Sequence, residues 1–468
     1  MNDPAKHFGA AIEVAGANVV VRDERALAGP AMDALVRDAV FGDKATQDEA
    51  RWLIWELGQA VGVRPASIHD LYMARGRGKC HGFTVPAINV RGRAYDTMRT
   101  ILRVCNEQKV GAFIFEIARS EIAYTDQRPA EYVAVAIAAA LREGFRGPLF
   151  IQGDHFQVNA KKYAADPRTE VESVKALARE AIAAGFYNID VDTSTLVDLK
   201  HATLAEQQRL NYEVGVEIAS FVRSVEPKGV TISIGGEIGE VGTTNSTVPE
   251  LRAFMDGFAT QLAKVAPGAV GLSKISVQSG TSHGGVVLAD GSIADVQLDF
   301  RTLEELSRVA RDAYGLAGAV QHGASTLPDA AFHHFPTTET CEIHLATNFQ
   351  NILYDHLPSE VRDEIYAWLR ENAKDEKKIK DTEEQFLYKT RKKALGPFKQ
   401  KLWNLGTSTA AELDRAYAAK FDFLFSKLGV YGTTDVVTQF VTAVPQHRPR
   451  LSGTAAVVAA PDDPDAGE

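Results

Sequence analysis

The feature that most limits the fold is a rhythm. Between residues 80 and 350, short apolar runs recur eight times: TVPAINV (84–90), GAFIFEIA (111–118), GPLFIQGD (147–154), YNIDVD (187–192), TISIGGEIG (231–239), SKISVQSG (273–280), GAVQHG (318–323) and CEIHLAT (341–347). Each is strand-sized. Most gaps between them carry an amphipathic helical segment, such as AYDTMRTILRVCNEQ, AEYVAVAIAAALREG, EVESVKALAREAIAAG or ELRAFMDGFATQLAKV. Strands that alternate with helices form parallel sheets, because a parallel connection needs a crossover helix. Eight such units in this span match the size of a (β/α)8 TIM barrel, an α/β fold. A doubly wound sheet is the competing architecture. It would carry a glycine-rich dinucleotide loop after an early strand, and none is present.

The flanks follow other patterns. Residues 1–78 read as an N-terminal helical extension, with helical apolar spacing in DEARWLIWELGQAVG. The barrel is expected over 79–350 and a charged, helical C-terminal region over 351–445. The Pro/Ala/Asp-rich stretch 446–468 reads as a disordered tail. A net charge of -10 argues against a broad basic surface for nucleic acid. Three widely spaced cysteines, Cys80, Cys105 and Cys341, support neither a disulfide framework nor a cysteine zinc cluster, which fits a reducing cytoplasm. Neither a secretory leader nor a membrane span is expected, so no membrane partner is.

In a barrel, catalytic groups gather where the strands end. The first run ends near Asn89, the third at Asp154-His155, the fourth at Asp192 and the fifth at Glu237. The sixth leads to His283, the seventh ends at His322, and the eighth carries His344 and Thr347. Taken singly, each has a plainer explanation: a strand-end histidine is most often a hydrogen-bonded structural residue, and an acidic one a helix cap. Jointly, His155, His283 and His322 come from three strands and meet at one barrel mouth. Three imidazoles with an open fourth position describe a catalytic zinc site, although imidazole also suits iron, nickel or copper. Asp192 and Glu237 would support those ligands or hold a second cation. The loops SGTSHGG (279–285) and QHGASTLP (321–328) carry glycines that let backbone N–H groups approach an anion. Lys274 lies near the start of its run, so it reads as a charge at the bottom edge rather than an imine-forming base. His333-His334 reads as structural.

These motifs, in this order, resemble the class II, metal-dependent ketose-bisphosphate (fructose-bisphosphate) aldolases. GFTVPAINVRGRAYDTMRTILRVCNEQKVGAFIFEIA resembles their first βα unit and second strand. GDH (153–155) resembles their Asp-His pair, IDVDTSTL (189–196) and GGEIGEVG (235–242) their fourth and fifth strand ends. GTSHGG and QHGAS resemble the two later His-Gly loops, and EIHLAT the last strand. The resemblance covers roughly 80–350 and implies a cytoplasmic homodimer or larger homo-oligomer that interconverts a ketose bisphosphate with dihydroxyacetone phosphate and an aldehyde. It implies one catalytic Zn2+ on His155, His283 and His322, with Asp192 and Glu237 at an alternative position for a second divalent or monovalent cation. It makes Asp154 the proton shuttle, Gly284, Gly323 and Ser325 phosphate binders, and Asn89, His344 and Thr347 substrate-binding. Three departures stand out. Thr244-Asn245 replaces an acidic pair in the loop after the fifth strand, Val287 lies in a loop that lacks a frequent lysine, and His344 replaces an asparagine. The alternatives are an epimerase of sugars or sugar acids, or an aldolase of a different substrate, on the same metal barrel, and a non-catalytic accessory subunit.

Overall fold

In the computed structural model, residues 4–239, 244–280, 288 and 298–450 are described. Eight strands close a parallel barrel: β4 (Val85–Asn89), β5 (Ile114–Ala118), β6 (Gly147–Gln157), β7 (Asn188–Asp192), β8 (Ser233–Glu237), β9 (Lys274–Val277), β10 (Ala319–Gln321) and β11 (Glu342–Leu345). Each pairs with the next, and β11 pairs with β4 in register Ile343↔Pro86 to close the ring. All eight coincide with the expected runs. The α/β (β/α)8 barrel is therefore the fold.

Alternation along each strand sorts the side chains. Ile88, Phe115, Ile151, Ile189, Ile234, Ile275, Val320 and Ile343 are fully buried, one from every strand. They form the layer between sheet and helices, each contributing about 1.5–3 kcal/mol by leaving water. Their neighbours in sequence face the lumen, and there the barrel departs from the usual packing of branched apolar residues. Gln152 of β6 donates to Glu342 of β11 at 2.9 Å and accepts from Lys274 of β9 at 2.8 Å. These strands are not neighbours, so the contacts cross a polar lumen.

The N-terminal region is not all helix. A hairpin, β1 (Ile12–Ala15) with β2 (Asn18–Val21), precedes helices Pro30–Phe41 and Lys44–Val61. Strand β3 (Val63–Ala66) then pairs in parallel with residues Gly147 to Phe150 of β6, below the point where β7 joins at Gln152. Asn188 stitches that junction, accepting from the Ile68 N–H at 2.9 Å and donating to the carbonyls of Ala66 and Ile151. Four-residue strands carry too little periodicity to stand out beside the longer helices. Helix His69–Gly76 follows, and Tyr72 reaches from it to Glu342, closing the lumen from below.

The C-terminal helices wrap the barrel. Helix Thr407–Lys427 lies on helix Ala94–Gln108, and Tyr417 donates to the Phe349 carbonyl at 2.9 Å. Thr433 Oγ accepts from the N–H groups of Gly111 and Ala112. Beyond Val441 the chain is extended and lies against helix Lys44–Val61. Trp52 and Trp55 donate to the carbonyls of Arg448 and Gln446, and the Arg448 guanidinium sits 3.3 Å over the Trp55 ring. Residues 446–450 of the expected tail are thus held by hydrogen bonds. Among the described residues, no helix is long and apolar enough to cross a membrane.

Candidate active site

The site begins with a backbone irregularity. Consecutive strand residues normally face opposite sides, so Asp154 and His155 could not both enter the lumen from a regular β6. The register of β6 against β7 slips between Gly153 and Phe156, and His155 takes a left-handed φ of 39°. A bulge re-aims a side chain at the cost of local strain, about 1–2 kcal/mol for a non-glycine residue in that region. Gly153 makes the bulge possible: a Cβ there would lie 2.5 Å from the Phe156 ring.

With both residues inside, a buried group assembles. His155 Nδ1 lies 3.1 Å from Asp192 Oδ2 and 3.5 Å from Glu237 Oε2, and its Nε2 lies 3.7 Å from Asp154 Oδ1. The His322 ring packs 4.2 Å from that of His155, and its Nε2 is 3.1 Å from Ser276 Oγ. One ligand-type atom each from His155, Glu237 and His322 lie within 4.8 Å of one another, all buried. Asp192 is itself fixed, accepting from the Ser194 N–H at 3.0 Å and the Ser194 hydroxyl at 2.7 Å. Burial alone would raise its pKa, but the hydrogen bonds from His155, Ser194 and Gln157 outweigh that and hold it below the usual range. Glu237 lacks such support. Burial, reinforced by the nearby Asp192 charge, pushes it up to about 8.

A second group lies deeper. His344 Nδ1 is 2.8 Å from Glu116 and 3.2 Å from Asp154, and its Nε2 is 2.8 Å from Glu342 and 3.7 Å from Asp190. Its ring packs 3.9 Å from that of His322. Below it, the Lys274 ammonium pairs with Glu342 and with Asp190 at 2.9 Å. Glu342 would rise through burial, yet Lys274 and His344 pull it down to about 2. Glu116 rises to about 8, mostly through burial and then through the Asp154 charge. Lys274 is fully buried, which corrects the expectation of a bottom-edge charge: the short β9 starts inside the lumen, not at its rim.

The structure thus brings together Asp154, His155, Asp192, Glu237, His322 and His344. His283 and Gly284, together with Val287, lie outside the described residues. Gly323 has a left-handed φ of 69° and opens the turn Ala324–Thr326, where Ser325 Oγ accepts from the Ala346 N–H at 2.5 Å. Thr347 starts the helix after β11 and is half-buried. Asn89 donates to Glu121 at 2.5 Å and accepts from Arg91 at 3.1 Å, which places it at the rim with a cation beside it. Asn245 donates to Asp299 at 3.2 Å, away from the lumen group. His334 packs on His333 and against Phe300. Glu116, Gln152, Asp190, Arg91 and Glu342 were not singled out from the sequence. The signal was present as polar residues two apart in short apolar runs: Asp190 with Asp192, Gln152 with Asp154, and Glu342 with His344.

Comparisons with known proteins agree with this picture. Among solved structures, the fructuronate-tagaturonate epimerase UxaE from Cohnella laeviribosi matches with a TM-score of 0.52 at 12% identity, over 75% of this chain and 84% of that one. A probable tagatose 6 phosphate kinase from Sinorhizobium meliloti 1021 matches with a TM-score of 0.51 at 15% identity, over 76% and 98%. A fructose-bisphosphate aldolase from Campylobacter jejuni matches with a TM-score of 0.45 at 15% identity, over 77% and 93%. At these identities the first two likenesses speak to the fold alone. No curated protein matches the chain by sequence. The sequence profile of the family Fructose-bisphosphate aldolase class-II matches residues 76–405, which carries the family likeness past the barrel into the C-terminal helices. The chain belongs to the class II fructose-bisphosphate aldolase family.

Proposed function

We propose that this protein is a metal-dependent aldolase that makes and breaks a carbon–carbon bond in a ketose phosphate. The observation that carries the reading is the β6 bulge, which turns a carboxylate and an imidazole into one buried lumen beside His322 and Glu237. The residues fit a divalent ion. Imidazole nitrogens and a carboxylate oxygen converge within 4.8 Å, a donor set suited to zinc and its first-row neighbours. His155, His322 and Glu237 would hold it, with Asp192 fixing the His155 ring and Ser276 the His322 ring. His283 joins this set by family resemblance. A divalent ion so held supplies Lewis-acid polarisation of a substrate carbonyl.

The chain's own groups do the rest. Asp154 sits between the rings of His155 and His344, where a carboxylate can take the hydroxyl proton of the carbon being released. As that proton leaves, the carbon–carbon bond breaks and its electron pair passes to the carbonyl half of the substrate, which is then protonated at carbon. Glu116 and His344 stand on the far side of Asp154 and can exchange its proton. Gly323 and Ser325, at the turn after β10, are assigned to the substrate phosphate, with Asn89 and Thr347 completing the rim. The lumen is closed below by Tyr72, which keeps bulk water from that end.

Coupled triose-phosphate assays over fructose and tagatose bisphosphates test the reading. Cleavage of either, lost on chelation and restored by zinc, is the expected result. A second reading, epimerisation of a sugar or sugar acid, is favoured by one observation: Thr244-Asn245 stand where the family carries acids, and Asn245 is turned to Asp299. Silence on both bisphosphates, with epimer formation from a uronate, would select it.

A further inference from the structure

The lower lumen holds a charge that the proposed reaction does not use. Lys274 is fully buried, and its ammonium sits in a cage of oxygens: Gln152 Oε1 at 2.8 Å, Asp190 Oδ1 at 2.9 Å, and Glu342. The cage is built, not incidental. Gly235 on β8 leaves the room it needs, since a Cβ there would lie 2.3 Å from Asp190 Oδ1 and 2.8 Å from Lys274 Cε. Tyr72 donates to Glu342 from below. Atoms of Asp190, Glu342 and His344 converge within 4.8 Å, as ligands would around an ion, and the ammonium bridges two of the three.

We propose that Lys274 is a positioning residue, a built-in cation in the place of a second metal ion, which acts through Glu342 to hold the His344 ring against His322. The proposal deepens the reading of the barrel mouth as the active site and rests on it. The chain of contacts is short. Lys274 fixes Glu342, Glu342 Oε1 faces His344 Nε2 at 2.8 Å, and the His344 ring lies 3.9 Å from His322. His322 is one of the proposed ligands, so a displaced His344 ring would remove the packing that holds that ligand at the mouth.

Three variants test it: Lys274→Met, Glu342→Gln and the double variant. Lys274→Met leaves the buried Asp190 and Glu342 carboxylates without their cation, and Glu342→Gln leaves Lys274 with Asp190 as its remaining carboxylate partner, so both should lower the unfolding midpoint, the first more. The double variant leaves one buried carboxylate, Asp190, without the ammonium instead of two and should regain part of the Lys274→Met loss, so it carries the test if Lys274→Met does not fold. Crystal structures of the metal-free proteins and the visible spectrum of the cobalt-loaded ones give the readout. In the double variant the His344 ring should leave its place on His322, and the cobalt spectrum should change although stability is partly recovered. A ring that stays in place, with an unchanged spectrum, would reduce Lys274–Glu342 to a structural pair and overturn the proposal. Wild-type protein that takes up no divalent ion would count against the metal reading alone, because the crystallographic comparison needs no metal.

Discussion

Two halves of one lumen solve the same problem differently. The lower half gathers Asp190, Glu342 and Gln152 around Lys274, so its carboxylates meet a cation supplied by the chain. The upper half gathers Asp192, Glu237 and Asp154 around His155 and His322, with no lysine or arginine paired to them among the described residues. The consequence shows in the carboxyl groups. Glu342, beside the ammonium, is held down at about 2, whereas Glu237, largely buried, is pushed up to about 8. Burial raises both; Lys274, with His344, pulls Glu342 down, whereas the Asp192 charge pushes Glu237 further up. A group that carries its own cation is closed. A group that lacks one is, on the proposed reading, the place for an ion from outside.

The largest expected effect is chemical. Replacing Asp154 by Ala should lower cleavage by about 10²–10⁴-fold while metal content stays unchanged. Steady-state kinetics beside metal analysis would show it, and a loss of metal instead would move Asp154 into the ligand set. Next comes stability. Lys274→Met should cost about 3–5 kcal/mol by stranding the Asp190 and Glu342 carboxylates, whereas Glu237→Gln should cost the metal-free protein little, because Glu237 is pushed up to about 8. Denaturant unfolding of both variants would break the comparison if the costs were equal. Gly235→Ala should cost about 1–3 kcal/mol by crowding the Asp190–Lys274 pair.

The gentlest test is pH. Glu116 and Glu237 have folded-state pKa values near 8 against 4.5 for the free side chain. The folded metal-free protein therefore binds more protons than the unfolded chain between those values, and their stability contribution, full below 4.5, is lost as pH rises through 8. Glu342, held down, has the opposite sign: its contribution is lost as pH falls from 4.5 toward 2. Thermal unfolding of metal-free protein should be highest near pH 5 and decline toward pH 8. Zinc should flatten that decline. A profile that rises toward pH 8 without metal would contradict the assignment of Glu237.

Much of this was legible in advance, for a physical reason. The eight barrel strands are apolar on the helix-facing side, and their lengths and spacing are dictated by the crossover helices, so the pattern survives in one sequence. Asp192 and Glu237 end their strands, His322 follows β10 directly, and Asp154 and His155 lie in the last residues of β6, which runs on to Gln157, near the strand ends where a barrel concentrates polar groups. The deeper residues were harder. Glu116, Asp190, Lys274 and Glu342 lie inside short strands, and a single polar residue in a run of apolar ones looks like an edge or a cap until the partners across the lumen are known. Lys274 shows this most clearly: at the first position of β9 it reads as a rim charge, and only Gly235 on β8 and Asp190 on β7 make room for it inside. Strand β3 was missed because its role depends on the unpaired lower edge of β6, a feature of the closed barrel and not of its own four residues.

The central claim is that the upper group is the metal centre and the lower group is filled by Lys274. Anomalous diffraction at the zinc edge from zinc-soaked crystals tests both parts at once. The account predicts one strong lumen peak, in contact with His155 and His322, and none beside Asp190 and Glu342. A peak among Asp190, Glu342 and His344, or no lumen peak at all, would contradict it.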